Sequence, residues 1–378
     1  MKQGVRICHH EKHDWSFLRN KYMKRIKYIS AFIAFILVLS GCGTSPVMEA
    51  SYTDKPTATS AEEIVVNVTE SSTTETTKKA EPVKFNPHVH TNLLSEYVTE
   101  DMWESLYNLI DAAKAGEDTF KCKDKKAYDW CTNESVIGSF FPVACTIVQG
   151  GGYSDGIGKI KYPKGKDKFL DKEKAFEAEI ERMLNEAIRS DYSDFEKTFG
   201  IYLYMCKNYQ YDYSSIDGCT VDDFSTYACL MTKKGICCEL ADAYAYMLLQ
   251  VGVEAVTVEG DGESGYHDWT FIELGGKGYF TDLTWDVYGD NPNNAPGMRY
   301  FLMTEEERLA DGFTKESLNV DQLRIWDIKY NSEKFAANDK MFASFRPVSV
   351  LVNWDRENNV VIFNSDTEEN ATIKYGDL

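Results

Sequence analysis

Gly235-Ile236-Cys237-Cys238-Glu239-Leu240-Ala241-Asp242-Ala243-Tyr244-Ala245 is the stretch on which the fold of this chain turns. A glycine marks a turn. After it, Leu240, Ala241, Tyr244, Ala245, Leu248 and Leu249 recur on one helical stripe, which predicts a helix over Cys237–Val251 with Gly252 as its stop. Cys237 then sits at the helix N-terminus. Unpaired backbone amides and the helix dipole there favour a thiolate, and the same amides can donate to an oxyanion formed beside the sulfur.

Beyond this helix, Val253–Glu259, Trp269–Leu274 and Tyr279–Leu283 have strand character. Gly275-Gly276-Lys277-Gly278 separates the last two, and Val350–Trp354 with Asn359–Asn364 reads as a closing hairpin. On the other side, Glu100–Ala115, Lys172–Arg189 and Phe195–Tyr209 have helical spacing, with strand-like Val143–Val148 and Ile157–Tyr162 among them. Helices followed by an antiparallel sheet define an α+β fold class.

The chain has six histidines, and only His267 lies well inside the globular part. It stands thirty residues after Cys237, at the start of a strand, where the base for a thiol would have to come from. An even-length loop through the glycines projects His267 and Asp282 from one face of a hairpin. A two-residue turn at Gly275-Gly276 leaves them one diagonal step apart, roughly 7–8 Å. An aspartate within reach can orient the imidazole and fix its tautomer.

Three motifs in this order resemble the transglutaminase-like superfamily: Gly235-Ile236-Cys237-Cys238-Glu239-Leu240-Ala241, His267-Asp268-Trp269 and Asp282-Leu283-Thr284-Trp285. The resemblance implies a papain-like core, with the nucleophile at a helix N-terminus packed on a sheet carrying His and Asp. It implies a Cys237, His267, Asp282 triad, with Cys238 turned away by about 100° along the helix. A second oxyanion donor upstream of the cysteine would be Gln210 or Tyr211. The implied chemistry is acyl transfer on amide substrates through a thioester. Peptidase or amidase hydrolysis is the favoured outcome, protein cross-linking the alternative, and a catalytically idle peptide- or wall-binding module the non-enzymatic one. No cofactor or metal is called for.

Lys24, Arg25 and Lys27 precede the apolar run Ile29–Leu39 and then Leu39-Ser40-Gly41-Cys42, an ending that resembles a bacterial lipobox. Residues 1–41 are therefore read as an export signal with Cys42 the lipidated residue, and the protein as anchored on the outer face of the cell membrane. The Ser/Thr/Glu-rich 42–85 reads as a disordered tether. The globular part is expected as an α+β region over 86–190, a core over 191–330 and a C-terminal hairpin over 331–378. With 60 acidic against 41 basic residues the chain carries a formal charge of −19, which argues against a nucleic-acid partner. A peptide or protein substrate, including cell-wall peptide, is the partner expected. Of the ten cysteines, Cys122 and Cys131 are spaced for a short disulfide loop.

Overall fold

Asp242, one turn into the Cys237 helix, is tied to the sheet beneath it: Thr257 Oγ1 donates to its Oδ1 at 2.6 Å, and Thr270 Oγ1 donates to the Ala241 carbonyl at 3.0 Å. This helix-on-sheet contact is the centre of a computed structural model that describes residues 80–145, 149–212, 225–262, 265–288, 296–347, 349–376 and 378. All of them belong to one compact unit, Val68–Leu378. The export signal, Cys42 and most of the tether lie outside the described residues, as does Cys219. Among the described residues no helix is long and apolar enough to cross a membrane.

Along the chain, α1 (Glu100–Lys114), β1 (Thr119–Lys121), α2 (Lys125–Cys131) and α3 (Glu134–Phe140) lead into β2 (Gln149–Ser154) and β3 (Ile157–Lys161). The three strands form a small antiparallel sheet in the order β1-β3-β2. Of the strand expected at 143–148, residues 146–148 lie outside the described residues, and residues 143–145 are not in a strand. Pro142 opens a 3-10 turn, Pro142–Ala144, because its ring fixes φ and it has no N–H to give a ladder. Two long helices follow, α4 (Lys166–Ala187) and α5 (Asp194–Asn208). The first begins six residues earlier than its apolar spacing indicates, through the polar turn that starts at Lys166. The second opens with a capping box between Ser193 and Glu196.

The short parallel pair β4 (Gln210–Tyr211) and β5 (Lys234–Gly235) flanks α6 (Thr226–Thr232) and delivers the chain to α7 (Cys237–Gln250). The central antiparallel sheet is then built from β6 (Glu254–Gly262), β7 (Gly265–Leu274) and β8 (Lys277–Thr281). After it come α8 (Leu283–Tyr288), α9 (Glu305–Ala310) and β9 (Asn319–Val320), which completes the order β8-β7-β6-β9. β10 (Ser349–Asp355), β11 (Val360–Ser365) and β12 (Ala371–Lys374) close the chain as a three-stranded sheet, one strand more than the hairpin expected.

Leu274 pairs with Lys277, so the β7–β8 turn is the two-residue Gly275-Gly276, both at positive φ. The strand expected through Leu283 stops at Thr281 instead. Asp282 is the joint, and Leu283 begins α8 with its side chain buried.

Candidate active site

The position of Cys237 is set by close packing before the helix. A Cβ at Gly235 would lie 2.8 Å from Cys229 Sγ and 3.1 Å from Glu239 Cβ, so only glycine brings the chain in at this angle. Glu239 then folds back and accepts from the Ile236 N–H at 2.9 Å. That satisfies the first orphan donor of the helix and leaves the amides of the following turn for a developing charge.

Cys237 is 5% exposed. Its sulfur lies 3.8 Å from Asp268 Oδ2 and is hydrogen-bonded to the Cys238 thiol, to the His267 ring and to the Asp268 backbone. The Cys238 hydrogen bond is the largest influence holding the Cys237 thiol well below its ordinary range. His267 adds to it, and together they overcome burial, which favours the neutral thiol. Cys238, expected to turn away along the helix, is half-buried where Cys237 is buried, and its thiol still bears on the charge of Cys237.

His267 Nε2 lies 2.7 Å from Asp282 Oδ2, with His267 5% exposed and Asp282 fully buried. The two-residue turn leaves these positions one diagonal step apart on the β7–β8 ladder, as the parity of the hairpin requires. With Nε2 committed to Asp282, Nδ1 is the ring nitrogen left for Cys237. Burial pulls the His267 imidazolium down, but the Asp282 charge and hydrogen bond, with Cys237, outweigh it and lift His267 to about 9. Burial likewise pushes Asp282 up, and the charges of His267 and Arg308 reverse the shift and hold it below the usual carboxylate range. At neutral pH the three groups therefore favour a thiolate–imidazolium–carboxylate state.

Dryness comes from aromatic rings. Trp285, Phe313 and Trp269 stand at 5.7, 6.0 and 6.1 Å from the imidazole. Across the ladder His267 faces Gly260, where a Cβ would meet the Trp269 indole at 2.6 Å. Glycine there makes room for the indole that covers the histidine. Asp282 is also pinned through its backbone, its N–H donating to the Tyr300 carbonyl at 2.9 Å.

Sequence reasoning missed one member of this site. Arg308, on α9, is 1% exposed and brings Nη2 to 3.0 Å from the same Asp282 oxygen that holds His267. Its guanidinium is flanked by Trp269 at 4.4 Å and Phe313 at 4.2 Å. The only sequence signal was an arginine in the acidic Glu305-Glu306-Glu307-Arg308 turn, which reads as surface charge.

The oxyanion candidates lie on β4, in parallel register with the segment that runs into Cys237. Tyr211 stands beside Gly235 and is half-buried, whereas Gln210 stands beside Lys234 and is exposed. A polar cleft of about 370 Å³, walled among others by Glu259, Asp261, Tyr266 and Arg324, opens on the sheet. Glu259 and Asp261 on β6 and Tyr266 on β7 supply the sheet's share of its wall.

Cys122 and Cys131, expected as a disulfide, are buried free thiols. A hydrogen bond from Cys131 draws the Cys122 thiol down to about 7.

Residues 182–282 match the family model of the Transglutaminase-like superfamily, a segment that runs through Cys237 and His267 and ends on Asp282. This part of the chain is transglutaminase-like, and the fold is a mixed helix-and-strand one. No curated protein matches the chain. Among solved structures it is similar to a TGase, at 16% identity over 38% of this chain and 45% of that one, with a TM-score of 0.27. It is also similar to a protein from Cytophaga hutchinsonii described as a candidate cysteine protease, at 15% identity over 38% and 42%, with a TM-score of 0.25. The chain spans less than half the length of either.

Proposed function

We propose that this protein is a thiol enzyme of transglutaminase-like type that cleaves amide bonds through Cys237, His267 and Asp282. The observation that carries the reading is the 2.7 Å contact of His267 Nε2 with a buried Asp282, on a histidine hydrogen-bonded to Cys237. The Cys237 thiolate attacks the amide carbonyl carbon, and the carbonyl electrons move onto oxygen. The amides of the first α7 turn accept that charge, with Tyr211 better placed than Gln210 to add a donor. His267 passes its Nδ1 proton to the leaving nitrogen as the C–N bond breaks, which leaves a thioester on Cys237. Water attacks the thioester while the now neutral His267 takes its proton, and the thiolate is released. An amine in place of water gives the cross-linking outcome by the same steps.

The substrate proposed is a peptide or protein, cell-wall peptide included, met outside the membrane to which Cys42 anchors the chain. The basic-apolar-lipobox order before Cys42 supports the anchor. Replacing Cys42 with alanine should release the protein from the membrane fraction.

The triad itself is tested by alkylation with iodoacetamide across pH, read as intact mass, in wild type, Cys237→Ala and His267→Ala. One thiol that labels fast below pH 7, only when both residues are present, supports the reading. Slow labelling indifferent to both substitutions removes it and favours the idle binding module.

A further inference from the structure

We infer that Arg308 is a positioning residue of this site, a buried cation that keeps Asp282 ionised and aimed at His267 throughout the proton-transfer cycle. The inference rests on the triad reading and extends it to a fourth residue.

Three observations carry it. Arg308 and His267 meet the same Asp282 oxygen, at 3.0 and 2.7 Å, so Asp282 bridges a permanent cation and a titrating one. Both ends of the Arg308–Asp282 pair are out of solvent, at 1% and 0% side-chain exposure. The guanidinium is held in place between Trp269 and Phe313, whose faces replace part of its lost hydration.

A packing role alone would be met by methionine or leucine, without the penalty of burying a charge. Chemistry supplies the reason for a charge. While His267 is an imidazolium, Asp282 has a cationic partner. Once His267 hands its proton to a leaving group, Asp282 would be a lone buried anion, a state a dry site strongly disfavours. Arg308 stays charged through both halves of the cycle and removes that obstacle. Other charged or titratable groups face this cluster. Asp311 lies 3.5 Å from Arg308 Nη1, and Cys237, Asp286, Tyr300, Arg299 and Arg346 are within electrostatic reach of the Asp282–Arg308–Asp311 cluster. Besides His267, Arg308 is the cation in contact with Asp282 among the described residues.

The sign of its effect is fixed by Coulomb's law. Removing a nearby positive charge makes every neighbouring acid harder to deprotonate, so the Cys237 and His267 midpoints must both rise.

The test uses the full chain. Iodoacetamide labelling of Cys237 gives the lower midpoint, and the C2–H resonance of His267 gives the upper one. Both are followed in wild type, Arg308→Met, Arg308→Gln and Arg308→Lys, each checked by thermal melting. Both midpoints are expected to rise by about one unit in the uncharged variants and to stay near wild type in Arg308→Lys. Should Arg308→Met fail to fold, Arg308→Gln against Arg308→Lys makes the same comparison. Altered melting with both midpoints unmoved in the uncharged variants would overturn the inference, because packing alone would then explain Arg308. A wild type with no thiolate below pH 7 is a different result. It removes the triad reading, and the role of Arg308 goes with it.

Discussion

Replacing Asp282 with asparagine keeps the shape of the site and removes one charge. His267 is lifted from 6.5 to about 9 against a burial that works in the opposite direction. The lift corresponds to roughly 3 kcal/mol of preference for the imidazolium, with Asp282 the larger contributor and Cys237 the smaller. In Asp282→Asn, burial and the facing Arg308 cation both disfavour the imidazolium, and the His267 midpoint should fall below 6.5. Without the imidazolium the Cys237 thiol loses one of the three partners that hold it down, the Cys238 thiol and the Asp268 backbone being the others. At a pH below both midpoints, its alkylation rate should drop by about two orders of magnitude if the midpoint rises by about two units.

Stability should respond in a matching pH window. His267 has a raised folded-state pKa, so its contribution is complete below its unfolded value near 6.5 and is lost as pH rises through about 9. Asp282 has a lowered one, so its contribution is present above the ordinary carboxylate range and disappears as pH falls through its folded value. The substitution also takes from Arg308 its nearer anion and leaves it Asp311 at 3.5 Å, a further cost that does not depend on His267. The stability gap between wild type and Asp282→Asn should therefore be widest near pH 5–6 and shrink toward pH 9.5. Urea unfolding at four pH values, with alkylation on the same samples, measures both effects. A gap that does not change with pH, or an alkylation profile that superimposes on wild type, would refute the coupling described here.

Cys237→Ala should lower the His267 midpoint from about 9, because the sulfur's hydrogen bond and charge contribute to the lift; the C2–H resonance of His267 reports it. Glu196→Ala should cost about 2–4 kcal/mol in urea unfolding. Its carboxylate accepts from the Ser193 N–H at 2.9 Å and from Arg356 Nε at 2.9 Å, joining the start of α5 to the C-terminal sheet. Gly278→Ala should lower the melting temperature far more than Gly276→Ala. A Cβ at 278 meets the Phe271 ring and lies 2.5 Å from the Ala336 carbonyl, whereas one at 276 meets nothing and carries only the strain of a φ of 74°.

What could be read from the sequence was what local pattern encodes. The α7 helix follows from an apolar stripe and a flanking glycine, and the β7–β8 pairing follows from two glycines that permit positive φ. That pairing carries the geometry of His267 and Asp282 with it, since a hairpin of known loop length fixes which residues share a face. Three features escaped, the first through a local proline and the other two through tertiary packing. Val143 joined a 3-10 turn because a single proline outweighs a β-branched run. Leu283 turned helical although Asp282-Leu283-Thr284-Trp285 continues the strand's apolar pattern, because the tertiary contact of the Asp282 N–H with Tyr300 ends the ladder. Arg308 lies 26 residues beyond Asp282 on another helix, and no periodicity relates the two. Contacts made by long-range packing leave no trace in spacing.

The charges of the site alternate: Cys237 negative, His267 positive, Asp282 negative, Arg308 positive. Each is at most 5% exposed, and a single ion left alone in so dry a place would titrate to its neutral form. Alternation lets all four exist together, because each stabilises its neighbours at distances where the low dielectric strengthens attraction. The same arrangement ties reactivity to stability. On the proposed triad the thiolate is available at neutral pH because the imidazolium is, and the imidazolium persists because Asp282 remains ionised between two cations. Losing an end member should therefore disturb the site less than losing an inner one, since an inner loss takes a partner from two neighbours and an end loss from one. Cys237→Ala should accordingly be the mildest single change in the row, and Asp282→Asn the most damaging to charge balance. Arg308 belongs to the electrostatic machinery of the sulfur although it lies two residues of contact away from it.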